Sequence, residues 1–206
     1  GETNNINSMT ITYNGKTLSV PNIPLTNDDH DKAKVIEIKG LQPSKNATVL
    51  FSSKGADNKL GLRLLDVKLV IGDGSGTVDP TDPTNPTDPT DPTDPTGPVE
   101  PIGAGFVETF GTPVKDGKYW PFVDDYTGYD NKQLTFKDKV GKSLSVRQQD
   151  GVSNVWFTAN KDTELEITGI TGVSGKKITL SFDAASNLSG SASTDLNSLE
   201  AWYGDK

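Results

Sequence analysis

Residues 79–98 read DPTDPTNPTDPTDPTDPTGP, a nearly regular Asp/Asn-Pro-Thr repeat that divides the chain into two unequal parts. Proline at every third position fixes φ, removes a backbone donor and disfavours the helical region for the residue before it. The composition favours extended polyproline II at about 3.1 Å per residue, so residues 79–101 are expected to span on the order of 70 Å. We interpret residues 73–101 as an extended or disordered linker.

The acidity of the chain belongs mainly to this linker. The 206-residue sequence has a net charge of −8, yet seven acidic residues and no lysine or arginine lie between residues 73 and 100. The rest of the chain therefore carries a net charge of −1. No basic surface for nucleic acid or anionic lipid is expected from this balance.

Composition also limits the chemistry and the location of the protein. The chain has no cysteine, which excludes disulfides and thiolate chemistry. No run of 18 apolar residues is present, so no membrane insertion is predicted. Solvated spacers of this kind are typical of proteins that hold modules apart outside a cell. We therefore expect an exported bacterial protein, extracellular or on the cell surface, with Gly1 as a mature or trimmed start from which a signal peptide is missing.

The first segment, residues 6–72, has a β pattern throughout. MTITY at 9–13 and KTLSV at 16–20 flank Asn14-Gly15, a strong signal for a type I′ hairpin because both turn positions favour positive φ. Three further strands are predicted, at residues 34–39, 47–51 and 61–71. No stretch has a convincing helical period.

The second segment, residues 102–206, has the same character. Its six predicted strands cover residues 133–137, 143–148, 154–159, 164–170, 177–184 and 198–203. Polar, glycine-containing turns separate them at intervals typical of a β-sandwich. The long loop at residues 111–131 has no periodicity and is rich in aromatic and acidic residues. The predicted fold class is an all-β, antiparallel β-sandwich of the jelly-roll type.

Aromatic residues are distributed very unevenly between the two segments. The first segment contains only Tyr13 and Phe51, whereas the second contains thirteen aromatic residues. A β unit of this size without disulfides or large aromatic side chains buries little apolar surface and is marginally stable alone. The first segment is therefore predicted to pack on another part of the structure.

Several stretches resemble a known domain type. VETFGTPVKDGKYWPFVDDYTGYDN, SNVWFTA, ITLSFDAASNL and LNSLEAWYGDK in the second segment resemble the N-terminal portion of a jelly-roll domain from surface and secreted lipoproteins of gut Bacteroidetes. That domain type is similar to the choice-of-anchor J and cleaved-adhesin sandwiches. ITYNGKTLSVPNIPL, VIEIKGL, ATVLFSS and GLRLLDVKLV in the first segment resemble the C-terminal portion. Leu65 departs from the family pattern, which usually has an Asp-Asp pair where this chain has Leu65-Asp66.

The resemblance implies that the two halves of one domain occur in reversed order. Residues 201–206 (AWYGDK) resemble residues 11–16 (ITYNGK), so the chain stops where a hairpin would turn and starts just before an equivalent hairpin. Our hypothesis is that residues 6–72 and 102–206 complete one sandwich, with the linker as a tether. Pairing between neighbouring chains and two separate units remain alternatives.

The first candidate site is the aromatic and acidic loop. Aromatic rings stack on the apolar faces of sugars and carboxylates accept hydrogen bonds from hydroxyl groups, so this composition is typical of glycan binding. The alternative is a loop that buries its own rings over the end of the sandwich. The residues concerned are Tyr119, Trp120, Asp124, Asp125, Tyr126 and Tyr129.

A second glycan-binding candidate rests on strand alternation. Trp156 is predicted to face away from Val155 and Phe157, and Trp202 away from Ala201 and Tyr203. If both tryptophans lay on the same exposed sheet face, they would form a flat stacking platform. If the strands of the first segment cover that face, they belong to the core.

A weak metal candidate occurs at Asp28, Asp29 and Asp31, where three carboxylates close together suit a structural Ca²⁺. The spacing of an EF-hand is missing, and a solvated turn is the alternative. No nucleophile motif accompanies His30, so no catalytic residues and no enzymatic activity are predicted.

The sequence thus favours a non-catalytic surface module that binds glycan or acts as an adhesin. Two alternatives remain open. One is a structural or assembly domain that exchanges strands or half-domains with neighbouring copies. The other is an accessory domain of a secreted hydrolase.

Overall fold

The structure is a computed structural model that describes residues 10–13, 16–19, 33–42, 46–54, 61–71, 105–171, 177–186 and 199–203. The predicted linker and the predicted calcium residues Asp28, Asp29 and Asp31 lie outside these ranges. The described strands are Thr10–Tyr13 (β1), Lys16–Ser19 (β2), Lys34–Leu41 (β3), Asn46–Ser53 (β4), Leu62–Ile71 (β5), Phe106–Glu108 (β6), Thr135–Asp138 (β7), Leu144–Gln149 (β8), Val152–Phe157 (β9), Thr163–Thr171 (β10), Ile178–Ser186 (β11) and Leu199–Tyr203 (β12).

These strands form two sheets that pack face to face as a β-sandwich, which confirms the predicted fold class. Sheet I has the order β2-β1-β12-β4-β10-β7, and sheet II has the order β3-β11-β5-β9-β8. The short strand β6 pairs with β5 at residues 67–69, beyond the point where β9 pairs with β5. Between these two contacts Asp66 has a φ of 45°, and this irregularity lets one strand edge serve two partners in succession.

In both sheets, strands of one sequence segment lie between strands of the other. In sheet I, β12 lies between β1 and β4, and in sheet II, β11 lies between β3 and β5. The first segment supplies β1 to β5 and the second supplies β6 to β12. The five strands of the first segment therefore do not form a continuous sheet by themselves. Within one chain, each segment provides the hydrogen-bonding partners that the other lacks.

The core is built from alternate residues of both segments. Ile36 and Ile38 of β3 are buried while the adjacent Val35 and Glu37 are exposed, as expected for a strand with one covered face. Phe51 of β4 and Phe182 of β11 meet edge to face between the two sheets, with ring centroids 5.0 Å apart. The aromatic-poor first segment therefore contributes aliphatic side chains to a core whose large rings come mainly from the second segment.

Most predicted strands are confirmed with shifts of a few residues at their ends. The pairing of Thr10 with Ser19 and Tyr13 with Lys16 is the register of a hairpin with a two-residue turn. The sequence did not predict β6, because three residues are too few for alternation to be recognised. Among the described residues no helix has the length and hydrophobicity needed to cross a membrane.

β1 and β12 make the only parallel pair among the described strands. Ile11 aligns with Ala201, Thr12 with Trp202 and Tyr13 with Tyr203. These are the stretches whose sequences resemble each other, and they lie side by side in matching register.

Candidate functional site

A buried carboxylate holds together the two ends of residues 109–131, the segment that contains the aromatic loop. Glu108 is fully buried and accepts hydrogen bonds from the backbone N–H groups of Phe110 (2.9 Å), Asp130 (3.1 Å) and Asn131 (3.1 Å). Asp130 in turn accepts bonds from the backbone N–H and hydroxyl of Thr109. Buried carboxylates with several N–H donors fix a loop firmly because each donor would otherwise lose its partner.

Two of the predicted ligand-binding tyrosines are part of the loop's own packing. Tyr129 is buried, stacks on Phe136 with ring centroids 3.9 Å apart, and donates its hydroxyl to the carbonyl of Val123 at 2.9 Å. Tyr126 packs edge to face on Tyr129 and donates to the carbonyl of Phe110 at 2.9 Å. Burial is the main cause that raises the pKa of both hydroxyls above the ordinary value, so both remain neutral donors.

Asp124 also has structural partners. It lies in a short 3-10 turn, Val123–Asp125, where its carboxylate accepts the backbone N–H of Asp138 at 3.0 Å and pairs with Lys137 at 3.2 Å. Asp125, the next residue, is exposed. Tyr126, Tyr129 and Asp124 therefore serve to shape the loop.

Tyr119 and Trp120 are presented to solvent by a small hairpin. Asp116 and Tyr119 exchange two backbone hydrogen bonds of 2.9 and 3.0 Å around a turn in which Gly117 has a φ of 58°. Tyr119 is 68% exposed and Trp120 is half-buried. A lysine ammonium lies over each ring, Lys118 at 5.2 Å from the centroid of Tyr119 and Lys115 at 4.9 Å from that of Trp120.

After this hairpin the chain joins the edge of sheet II. The backbone N–H of Val146 donates to the carbonyl of Pro121 at 2.9 Å, and Phe122 forms an antiparallel bridge with Ser145. Ser145 is in turn paired with Trp156 on β9. Directly paired residues project from the same face of a sheet, so Phe122, Ser145 and Trp156 form a row across the outer face.

Trp156 lies on the face of β9 opposite the buried Val155 and Phe157, as alternation predicted. That face is the outer one, and the ring is covered by an arginine. The guanidinium of Arg147 lies 3.7 Å from the ring centroid of Trp156, and its Nε donates to the hydroxyl of Ser145 at 2.7 Å. Among the described residues no carboxylate forms an ion pair with Arg147. Burial lowers its pKa from the ordinary value, yet an arginine stays charged at neutral pH.

Two further cations lie close to this row. Lys142 lies over the ring of Phe122 at 5.7 Å from its centroid. Arg63, which is buried, is paired with Trp156 on the side opposite Ser145. We call Phe122, Lys142, Ser145, Arg147 and Trp156 the Trp156 face. Of its two aromatic residues, Trp156 lies on strand β9 and Phe122 lies beside strand β8.

The outer face of sheet II changes character away from Trp156. Asp183 on β11 is paired with Leu65, next to Asp66. Burial and then the charge of Asp66 raise the pKa of Asp183, while Lys68 opposes the shift. Asp66 and Asp183 thus lie on β5 and β11, away from the aromatic side chains on β9 and at the edge beside β8.

The predicted platform of Trp156 and Trp202 is not formed. Trp156 is on β9 in sheet II, whereas Trp202 is on β12 in sheet I, in register with Leu50 of β4. Alternation along a strand indicates which residues share a face of that strand, but it does not indicate which sheet the strand enters. Within the described residues no cluster of histidine, aspartate or glutamate side chains is arranged to hold a metal ion.

Sequence reasoning found Tyr119, Trp120 and Trp156 but missed Phe122, Lys142 and Arg147, because cross-strand pairing brings these last three together. The near-neutral charge of the segments also gave no sign that cations would collect over the rings. Comparisons of the chain with known protein families, with curated proteins and with solved structures found no match.

Proposed function

We propose that this chain is a non-catalytic carbohydrate-binding module of a bacterial cell surface, with the Asp-Pro-Thr linker joining the two halves of its sandwich. The supporting observation is the row of partly exposed rings formed by Phe122 and Trp156 and continued by the Tyr119 hairpin. Rings held in fixed positions stack on sugars with little loss of side-chain entropy. Repeated weak contacts of this kind gain strength when several modules are tethered together.

Affinity electrophoresis through gels that contain different polysaccharides tests this proposal. Phe122→Ala and Trp156→Ala are each expected to weaken binding about fivefold, which corresponds to the roughly 1 kcal/mol typical of one aromatic contact. The matched control is Val35→Ala, which removes an exposed apolar side chain from β3, at the other edge of the same sheet.

Retardation of the unaltered protein by at least one polysaccharide, lost selectively in the two aromatic variants, supports the proposal. The proposal fails if no polysaccharide retards the protein, or if both aromatic variants migrate like the Val35→Ala control.

A second candidate function is assembly through strand exchange. It is favoured by the in-register parallel pairing of β1 with β12, because two strands of similar sequence compete for one position beside β4. A neighbouring copy of the chain is the partner expected in that case. Light scattering over a wide range of protein concentrations separates the two functions, since only exchange makes the mass depend on concentration.

A further inference from the structure

Each exposed or half-exposed ring of the proposed binding surface has a cation over it. In the Tyr119 hairpin, Lys115 lies 4.9 Å from the ring centroid of Trp120, and Lys118 lies 5.2 Å from that of Tyr119. Beside β8 and β9, Lys142 lies 5.7 Å from the ring centroid of Phe122, and Arg147 lies 3.7 Å from that of Trp156. The chain outside residues 73–100 has a net charge of −1, so its overall charge balance does not by itself account for this grouping of cations. The exposed acids on the same loop and strands are Asp116, Asp124, Asp125, Asp130 and Asp150. Asp124 is paired with Lys137, and Asp130 accepts hydrogen bonds from Thr109.

These cations change what the rings are able to bind. The ring face that carries an ammonium or guanidinium group is not free to stack on a sugar, so contact with the sugar is left to the opposite face and to the edge of each ring. A positive charge fixed over a ring attracts an anionic group to the edge of that ring instead. The surface therefore combines the apolar contact that suits a sugar with a charge that suits an acid.

Arg147 supplies the most specific feature. Its guanidinium is held flat by Trp156 and by the bond from Nε to Ser145. A guanidinium carries five N–H donors, and among the described residues the four that remain have no hydrogen-bond partner. A planar guanidinium with free N–H groups along one edge matches a carboxylate, which it binds through two parallel hydrogen bonds. Only two arginines occur in the chain, and both adjoin Trp156.

We propose that the Trp156 face binds an acidic polysaccharide, with a sugar carboxylate on the guanidinium edge of Arg147 and neighbouring carboxylates near Lys142 and Lys118. This inference rests on the proposed function and specifies its ligand as a uronate polymer. In this arrangement the aromatic rings contact the sugar rings, and the cations favour those sugars that carry a carboxylate.

Titration calorimetry with three uronate polymers tests the inference, namely polygalacturonate, alginate and hyaluronan, each compared with its carboxyl-reduced form. Reduction converts the carboxylate to a hydroxymethyl group and leaves the sugar backbone intact. At least one acidic polymer is expected to bind at least tenfold more tightly than its reduced form. Arg147→Lys, which keeps the charge but loses the planar fork, is expected to weaken that binding about tenfold.

The control for charge alone is Lys161→Gln, which removes one exposed cation from the turn between β9 and β10. It is expected to change the affinity less than twofold, and circular dichroism confirms that both variants are folded. Equal binding of acidic and reduced polymers overturns the acidic specificity while leaving the carbohydrate-binding function in place. If no polymer in either form binds, the inference is wrong, and the carbohydrate-binding function is then decided by affinity electrophoresis with the other polysaccharides.

Two further probes separate uronates from other polyanions. Dextran sulfate and poly-glutamate are expected to bind more weakly than the preferred uronate and to be insensitive to Arg147→Lys. If poly-glutamate binds as tightly as the uronate, the surface recognises acidic protein and the inference is wrong. If dextran sulfate binds as tightly and Arg147→Lys changes nothing, the cations act as an unspecific charged surface and the inference is wrong as well.

Discussion

Phe182→Ala is expected to lower the free energy of unfolding by about 3–5 kcal/mol, the range for removing a fully buried phenylalanine from a core that relaxes only in part. Phe51→Ala is expected to cost a similar amount. Both rings have no solvent exposure, and their centroids lie 5.0 Å apart with the ring planes nearly perpendicular. Urea denaturation followed by fluorescence measures both variants.

The two rings also report on the relation between the two segments. Phe51 comes from the first segment and sheet I, and Phe182 from the second segment and sheet II. A double-mutant cycle is expected to give a coupling energy of about 0.5–1.5 kcal/mol for an edge-to-face pair. Phe122→Ala is the matched control, because the same chemical change at a ring that is 37% exposed creates no internal cavity. A coupling energy of zero would contradict the contact between the segments.

Asp138→Ala is expected to produce the second large loss, about 3 kcal/mol or more, because several buried N–H groups lose a charged acceptor together. The Asp138 carboxylate is buried and accepts from the backbone N–H groups of Val140 (3.1 Å), Gly141 (2.9 Å), Ser143 (2.6 Å) and Leu144 (2.8 Å). The hydroxyl of Ser143 donates to it as well, at 2.9 Å.

Thermal unfolding of two variants distinguishes this role from a simple effect of charge. Asp138→Asn keeps the shape but replaces one acceptor with a donor that opposes the N–H groups, so it is expected to be nearly as destabilising as alanine. Glu37→Ala is the control, since its exposed pair with Lys39, at 3.3 Å, is worth at most about 1 kcal/mol. If Asp138→Ala melts within a degree of Glu37→Ala, the carboxylate does not organise this turn.

The sequence was sufficient to predict the described strands other than β6 because alternation and turn residues are local signals. The β1–β2 hairpin followed from Asn14-Gly15, and alternation placed Trp156 on the face of its strand opposite Val155 and Phe157, without indicating whether that face is covered. The low aromatic content of the first segment also indicated that it needs a packing partner. In the structure its strands alternate with those of the second segment in both sheets.

The site could be predicted only in part, because its members meet across strands. Phe122, Arg147 and Trp156 are distant in the sequence and become neighbours through the pairing of Ser145 with both Phe122 and Trp156. Strand membership is also a tertiary property, which is why Trp156 and Trp202 were considered together although they lie in different sheets. Asp138 followed by Gly141 and Ser143 has the character of a side-chain-capped turn, but no local pattern indicates the role of Glu108.

The account depends most on the claim that residues 6–72 and 102–206 build one sandwich, and cleavage of the linker tests this claim directly. A protease site inserted after Thr87 allows the folded protein to be cut within the Asp-Pro-Thr repeat. We predict that both fragments elute together in gel filtration as one particle with the mass of a single chain, and unfold in one cooperative transition. Elution of the first fragment as a separate, stably folded monomer would contradict the shared core.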